Sequence, residues 1–114
     1  MITVYSDILT NEVEILLNAV CQGVSGEVHI DVDPEIDVDG YCIAVCSDEV
    51  HICLKTDSLI VLAHELVHAK QYLREELTGN TWKGKQYQPD HFHCPWEQQA
   101  YALENKFKNL LQLQ

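Results

Sequence analysis

Residues 64–68 read His-Glu-Leu-Val-His. If the segment is helical, four residues is just over one turn, so His64 and His68 project from one face and their ring nitrogens reach a single metal ion. Glu65 lies about 100° further round the helix, where its carboxylate can contact a water held by that ion without being a ligand. Zinc lowers the pKa of such a water to about 7. Glu65 is then a general base that takes the proton and passes it to a leaving amine as a polarised carbonyl is attacked. The plainer alternative is a pair of histidines satisfied by hydrogen bonds on a packed helix.

A catalytic zinc needs a third protein ligand and an open position. Glu97 is the best candidate: it falls in the first turn of a helix beginning near Pro95, with the small residue Ala100 one turn on. Compensation of the helix dipole is the other use for a glutamate there. His91, His93 and Cys94 are rivals for the ligand role, with Cys94 better suited to an inhibited or structural site. Glu104, two turns beyond Glu97, is either support for a ligating histidine or simply solvated.

The elements that must position these residues follow from periodicity. Ile2 to Ser6 reads as a short strand. Asn11 to Gln22 reads as an amphipathic helix with Val13, Leu16, Leu17 and Val20 on one face, Asn11 and Glu14 as a capping box, and Gly23 as the stop. Val28, Ile30 and Val32 alternate with polar residues, and the acidic stretch 33–40 reads as a loop. Residues 41–46 and 50–55 form a hairpin by their period of two. The bulky face of each strand is expected to meet the helices, leaving His29, Asp31, Cys42, Cys46, His51 and Cys53 on the outer face. Without compact ligand spacing this outer group reads as sheet surface with thiols acting as small hydrophobes, not as a second metal site. The motif helix spans about Ser58 to Glu76, capped by Thr56, Asp57 or Ser58. Residues 77–94 read as a loop, and the last helix carries a stripe of Trp96, Ala100, Leu103, Phe107 and Leu110.

The chain of 114 residues, 46% hydrophobic, suits a single α+β domain over residues 1–114 with a sheet of three to four strands. Its net charge of −11, from 7 basic against 18 acidic residues, argues against nucleic acid or an anionic membrane as the main partner. Five cysteines without disulfide-framework spacing point to free thiols and a cytoplasmic setting. No apolar run is long enough for a membrane span, and the N-terminal residues lack the character of a secretory signal. A monomer is expected.

The HELVH motif, followed by a helix carrying Glu97, resembles the gluzincin branch of zincin metallopeptidases. At this length it is most similar to the minigluzincins and to small phage-type HExxH proteins. Trp82-Lys83-Gly84-Lys85-Gln86-Tyr87 and Pro95-Trp96-Glu97 resemble W-x-G-x-x-Y and PWE elements of the latter group. The resemblance covers roughly residues 58–104. It implies a minimal zincin-like fold, one zinc per chain on His64, His68 and Glu97, Glu65 as base, and an edge strand that pairs with an extended peptide substrate. Which strand that is, the sequence leaves open. The chain departs from larger gluzincins in having no sizeable C-terminal lobe. Tyr87, Tyr101, His91 and His93 are the candidates for a donor to the developing oxyanion, while Trp82 and Trp96 read as anchors of the 77–94 segment.

Three functions compete. An endopeptidase uses every feature of the motif. A catalytically silent zinc-binding regulatory or interaction domain suits the small size but leaves Glu65 without a use. A latent enzyme would place a chain end such as residues 110–114 in its own cleft.

Overall fold

A computed structural model describes residues 2–8, 10–78, 81–87 and 94–112. The elements run β1 (Ile2–Ser6), α1 (Asn11–Val20), β2 (Gly26–Val32), β3 (Gly40–Cys46), β4 (Glu49–Leu54), α2 (Leu59–Leu73), β5 (Leu77–Thr78), β6 (Thr81–Trp82), β7 (Lys85–Gln86) and α3 (Pro95–Gln112). The main sheet has the order β1-β2-β4-β3, with β1, β2 and β4 parallel and β3 antiparallel to β4. The architecture is α+β, with three helices and a mixed four-stranded sheet. None of the helices among the described residues is long and apolar enough to cross a membrane.

The apolar stripes found by periodicity build one core. Val13, Leu16, Leu17 and Val20 of α1 meet Val28 and Ile30 of β2 and Val50, Ile52 and Leu54 of β4. From α2 come Leu62, Ala63, Leu66, Val67 and Ala69, all fully buried, and from α3 come Ala100 and Phe107. Burying each large aliphatic side chain contributes about 1.5–3 kcal/mol, so α2, with apolar residues round most of its circumference, is fixed at the centre. The motif it carries is thereby held on the most constrained element of the fold.

Local details correct the sequence reading. The N-cap of α1 is Thr10, whose hydroxyl accepts from the Val13 amide at 3.3 Å; Asn11 is already helical. Ser58 caps α2, accepting from Val61. That helix ends at Leu73, not Glu76, because Glu75 turns left-handed (φ 59°). The Glu75 amide then bonds Tyr72 and the Glu76 amide bonds Gln71, a Schellman closure with glutamate where glycine is usual. The segment after it is not all loop: β5, β6 and β7 form a small antiparallel sheet. Strands of two residues are too short for periodicity to reveal. Lys83 and Gly84 both take positive φ, 50° and 86°, the conformation of a two-residue type I′ hairpin.

The larger correction concerns β3. Tyr41, Ile43 and Val45 point outward, 40%, 51% and 54% exposed, while Cys42 packs against the core. Cys42 pairs with Ile52 and Ile43 with His51, so the bulky residues share the face of His51. The reason is space. A Cβ on Gly40 would lie 2.8 Å from Val61 Cγ1 and 3.1 Å from Leu54 Cδ2, so α2 lies too close for large side chains at this end of β3. The bulge between Ala44 and Cys46 sets the matching register, and a shift of one residue exchanges the two faces.

Candidate metal centre

On α2 the motif residues stand as their spacing requires. His64, Glu65 and His68 are all buried, and so is Glu97 at the start of α3. The Nε2 atoms of His64 and His68 are 3.2 Å apart. Glu97 Oε1 lies 3.1 Å from the first and 2.6 Å from the second. Three donor atoms from two helices, 33 residues apart in sequence, therefore point at one spot. Ligands on a tetrahedral zinc with bonds near 2.05 Å sit about 3.3–3.4 Å apart. Two of the three separations approach that figure, and the third is a short charge-assisted hydrogen bond. The donor set, two imidazoles and one carboxylate, fits a divalent metal ion.

Glu97 is placed by the cap of α3: the Cys94 carbonyl accepts from the amides of Glu97 and Gln98 at 3.0 Å. Cys94 itself is buried and does not join the grouping of His64, His68 and Glu97. The rivals His91 and His93 lie outside the described residues. Glu104 Oε2 is 3.8 Å from His64 Nδ1, close enough for attraction and too far for a hydrogen bond.

Gln71, which sequence reasoning passed over, is fully buried behind the site. Its side-chain oxygen lies 2.9 Å from His68 Nδ1, and its amide nitrogen donates to the Trp96 carbonyl at 3.0 Å and to Gln99 Oε1 at 2.8 Å. Gln71 is seven positions from His64 and three from His68, on the same helical face, and that spacing was its only signal. Burial pulls the pKa of His68 down. Hydrogen bonds to Glu97 and Gln71, with the charges of Glu97 and Glu65, outweigh it and leave the net shift upward.

A cleft of about 610 Å³ opens over the site, lined on one side by Gly40, Tyr41 and Cys42 and on the other by Trp96, Tyr101 and Glu104, with His64, Glu65 and His68 at its floor. Tyr72, four residues beyond His68, also lines it. Burial, and then the charge of Glu65, push the Cys42 thiol well above the usual thiol range. Of the proposed oxyanion donors, Tyr101 lines the cleft with its ring 4.7 Å from that of His64. Desolvation, and then the charges of Glu97, Glu104 and Glu65, raise the pKa of its hydroxyl. Tyr87 packs edge-on against Trp96, 5.9 Å between centroids, and is not among the lining residues. Trp82 and Trp96 stand 6.5 Å apart, and Trp96 both joins this aromatic group and lines the cleft. Residues 110–112 continue α3, on the same helix as Glu97, and residues 113–114 lie outside the described residues. Comparison with family models, curated proteins and solved structures finds no match to this chain.

Proposed function

We propose that the chain is a zinc-dependent peptidase, an endopeptidase acting on extended segments. The observation that carries this is the convergence of His64 Nε2, His68 Nε2 and Glu97 Oε1 at the floor of an open cleft, with Glu65 beside them. This is the ligand set that a resemblance to minigluzincins implies. These three residues would hold a zinc ion, which would supply Lewis acidity toward a carbonyl and make a water acidic near neutral pH. Glu65 accepts the proton from that water and returns it to the amine of the departing fragment. Tyr101, which lines the cleft with its ring 4.7 Å from that of His64, is the residue we assign as donor to the charge developing on the carbonyl oxygen. His64 and His68 present Nε2 to the metal, and Gln71 keeps the ring of His68 turned that way.

Strand β3 is the edge of the sheet and supplies Gly40, Tyr41 and Cys42 to the cleft wall. No strand among the described residues pairs with its outer edge, which suits an extended peptide added as a further strand, a mode of binding that depends little on sequence. The test is hydrolysis of an unfolded protein substrate by wild type, by chelator-treated protein and by Glu65→Gln, each with its zinc content measured. Cleavage lost with the chelator, restored by zinc and absent from zinc-loaded Glu65→Gln supports the peptidase. Zinc bound at one equivalent in the cleft with no cleavage by wild type leaves the silent binding domain in its place.

A further inference from the structure

The face of the sheet opposite the core holds a second cluster. Parallel pairing sets Tyr5 beside His29 and His29 beside His51, while β3 sets Ile43 beside His51, a row in register across four strands. Two positions back, Glu27 pairs with Glu49, and the period of two puts these carboxylates on the same face as the histidines. His51 Nε2 is 2.8 Å from Glu49 Oε2. His29 Nε2 is 3.8 Å from that same oxygen and 3.7 Å from Glu27 Oε2. The imidazole of His29 is stacked between Tyr5, at 4.7 Å, and His51, at 4.4 Å.

One atom here is anomalous. His29 Nε2 is buried and has no hydrogen-bond partner among the described residues. A buried polar atom without a partner has lost its water and gained nothing in exchange. Yet two carboxylate oxygens face it, each too distant for a hydrogen bond and close to the separation of two ligands on one ion, about 3.3–3.4 Å for tetrahedral zinc. An ion between them satisfies the orphan nitrogen and both carboxylates at once.

We propose that His29, His51 and Glu49, with Glu27 beside them, form a second divalent-metal site on the outer face. Imidazole with carboxylate selects zinc, copper(II) or nickel(II) over magnesium or calcium. Such an ion ties β2 to β4 at an in-register pair and braces the strand to which β3 is attached. The site is independent of the peptidase reading, because it shares no residue with the cleft.

The experiment is a zinc titration of the full metal-free chain by calorimetry, with long-range proton–nitrogen spectra of the histidine rings. Wild type is expected to take two equivalents, His29→Gln/His51→Gln one, and His64→Ala to retain the outer one with the ring signals of His29 and His51 still moving on zinc addition. Thermal stabilisation by zinc is expected to persist in His64→Ala. If the cleft holds no metal, wild type takes one equivalent, lost in His29→Gln/His51→Gln and kept in His64→Ala, and the outer site stands while the peptidase reading falls. The proposal is overturned if His29→Gln/His51→Gln binds as many equivalents as wild type. It is equally overturned if the ring signals of His29 and His51 in wild type stay unmoved at saturating zinc, which marks an ion-paired histidine only and needs no variant to fold.

Discussion

Gln71 decides which nitrogen His68 turns toward Glu97. The amide nitrogen of Gln71 is committed to two acceptors, the Trp96 carbonyl and Gln99 Oε1, so its oxygen must face His68 Nδ1. That nitrogen therefore carries a proton in either charge state; in the metal-free protein Nε2 is protonated too and donates to Glu97, and when the ring becomes neutral it is Nε2 that is left with the lone pair for a metal ion. The same residue joins α2 to the first turn of α3, so the tautomer of one proposed ligand and the position of another depend on a single side chain.

Replacing Gln71 by Leu keeps a side chain of similar length and removes both the acceptor facing His68 and the donor to α3. Zinc affinity is expected to fall about 10–100-fold, measured by competition with a chromophoric chelator. Gln71→Glu, which keeps an acceptor at Nδ1, is expected to retain more of the affinity. Equal affinities in all three proteins would deny Gln71 any part in orienting His68.

Glu65→Gln is expected to bind zinc as wild type does and to lose about 10²–10⁴ in kcat. Full turnover in this variant would remove Glu65 as the base.

Glu97→Ala is expected to lose most of its zinc at the cleft, seen as metal content after dialysis. Retention of that equivalent would move the third ligand to His91, His93 or Cys94.

Stability is expected to depend on pH in opposite senses with and without zinc. In the metal-free protein the folded pKa of His68 lies above its ordinary 6.5. Protonated His68 then stabilises the fold below that value, and the contribution is lost as pH rises through the folded pKa. Zinc requires the neutral ring, so stabilisation by zinc grows over the same interval. Urea melts at about pH 6 and about pH 8, each with and without zinc, should show the zinc increment larger at the higher pH. An increment that shrinks as pH rises would contradict the role given to His68.

Gly40→Ala places a methyl against Val61, one turn before His64 on α2. Overpacking of this kind costs about 1–3 kcal/mol. Val61→Ala in the same chain should recover part of the loss. Additive effects in a double-mutant cycle would mean that the two positions are not in contact.

What the sequence made legible was local. His64, Glu65 and His68 are related by one helical turn, and the stripes of α1 and α3 by 3.6-residue spacing, so their elements could be read directly. Glu97 was legible as a glutamate at a helix start, but not the 2.6 Å that separates it from His68. Gln71 was hidden because its partners, the Trp96 carbonyl and Gln99, come from a different helix. The inverted face of β3 was hidden because alternation fixes which residues share a face and not which face is inward. Proximity of α2 at Gly40 and the bulge near Val45 made that choice. The cluster of His29, Glu49 and His51 depends on the register between two strands separated by β3 in sequence, which no spacing along the chain reveals.

Among the described residues no strand pairs with the outer edge of β3, and that carries a cost beside the use proposed for it. Tyr41, Ile43 and Val45 flank a row of backbone groups open to any extended chain, and that includes the β3 of another molecule. The strand addition proposed for substrate, being indifferent to sequence, would not tell a substrate from a sibling. Self-pairing of two edges would cover the cleft wall in both copies, so apparent activity per molecule should decline as the protein is concentrated, and dilution should restore it.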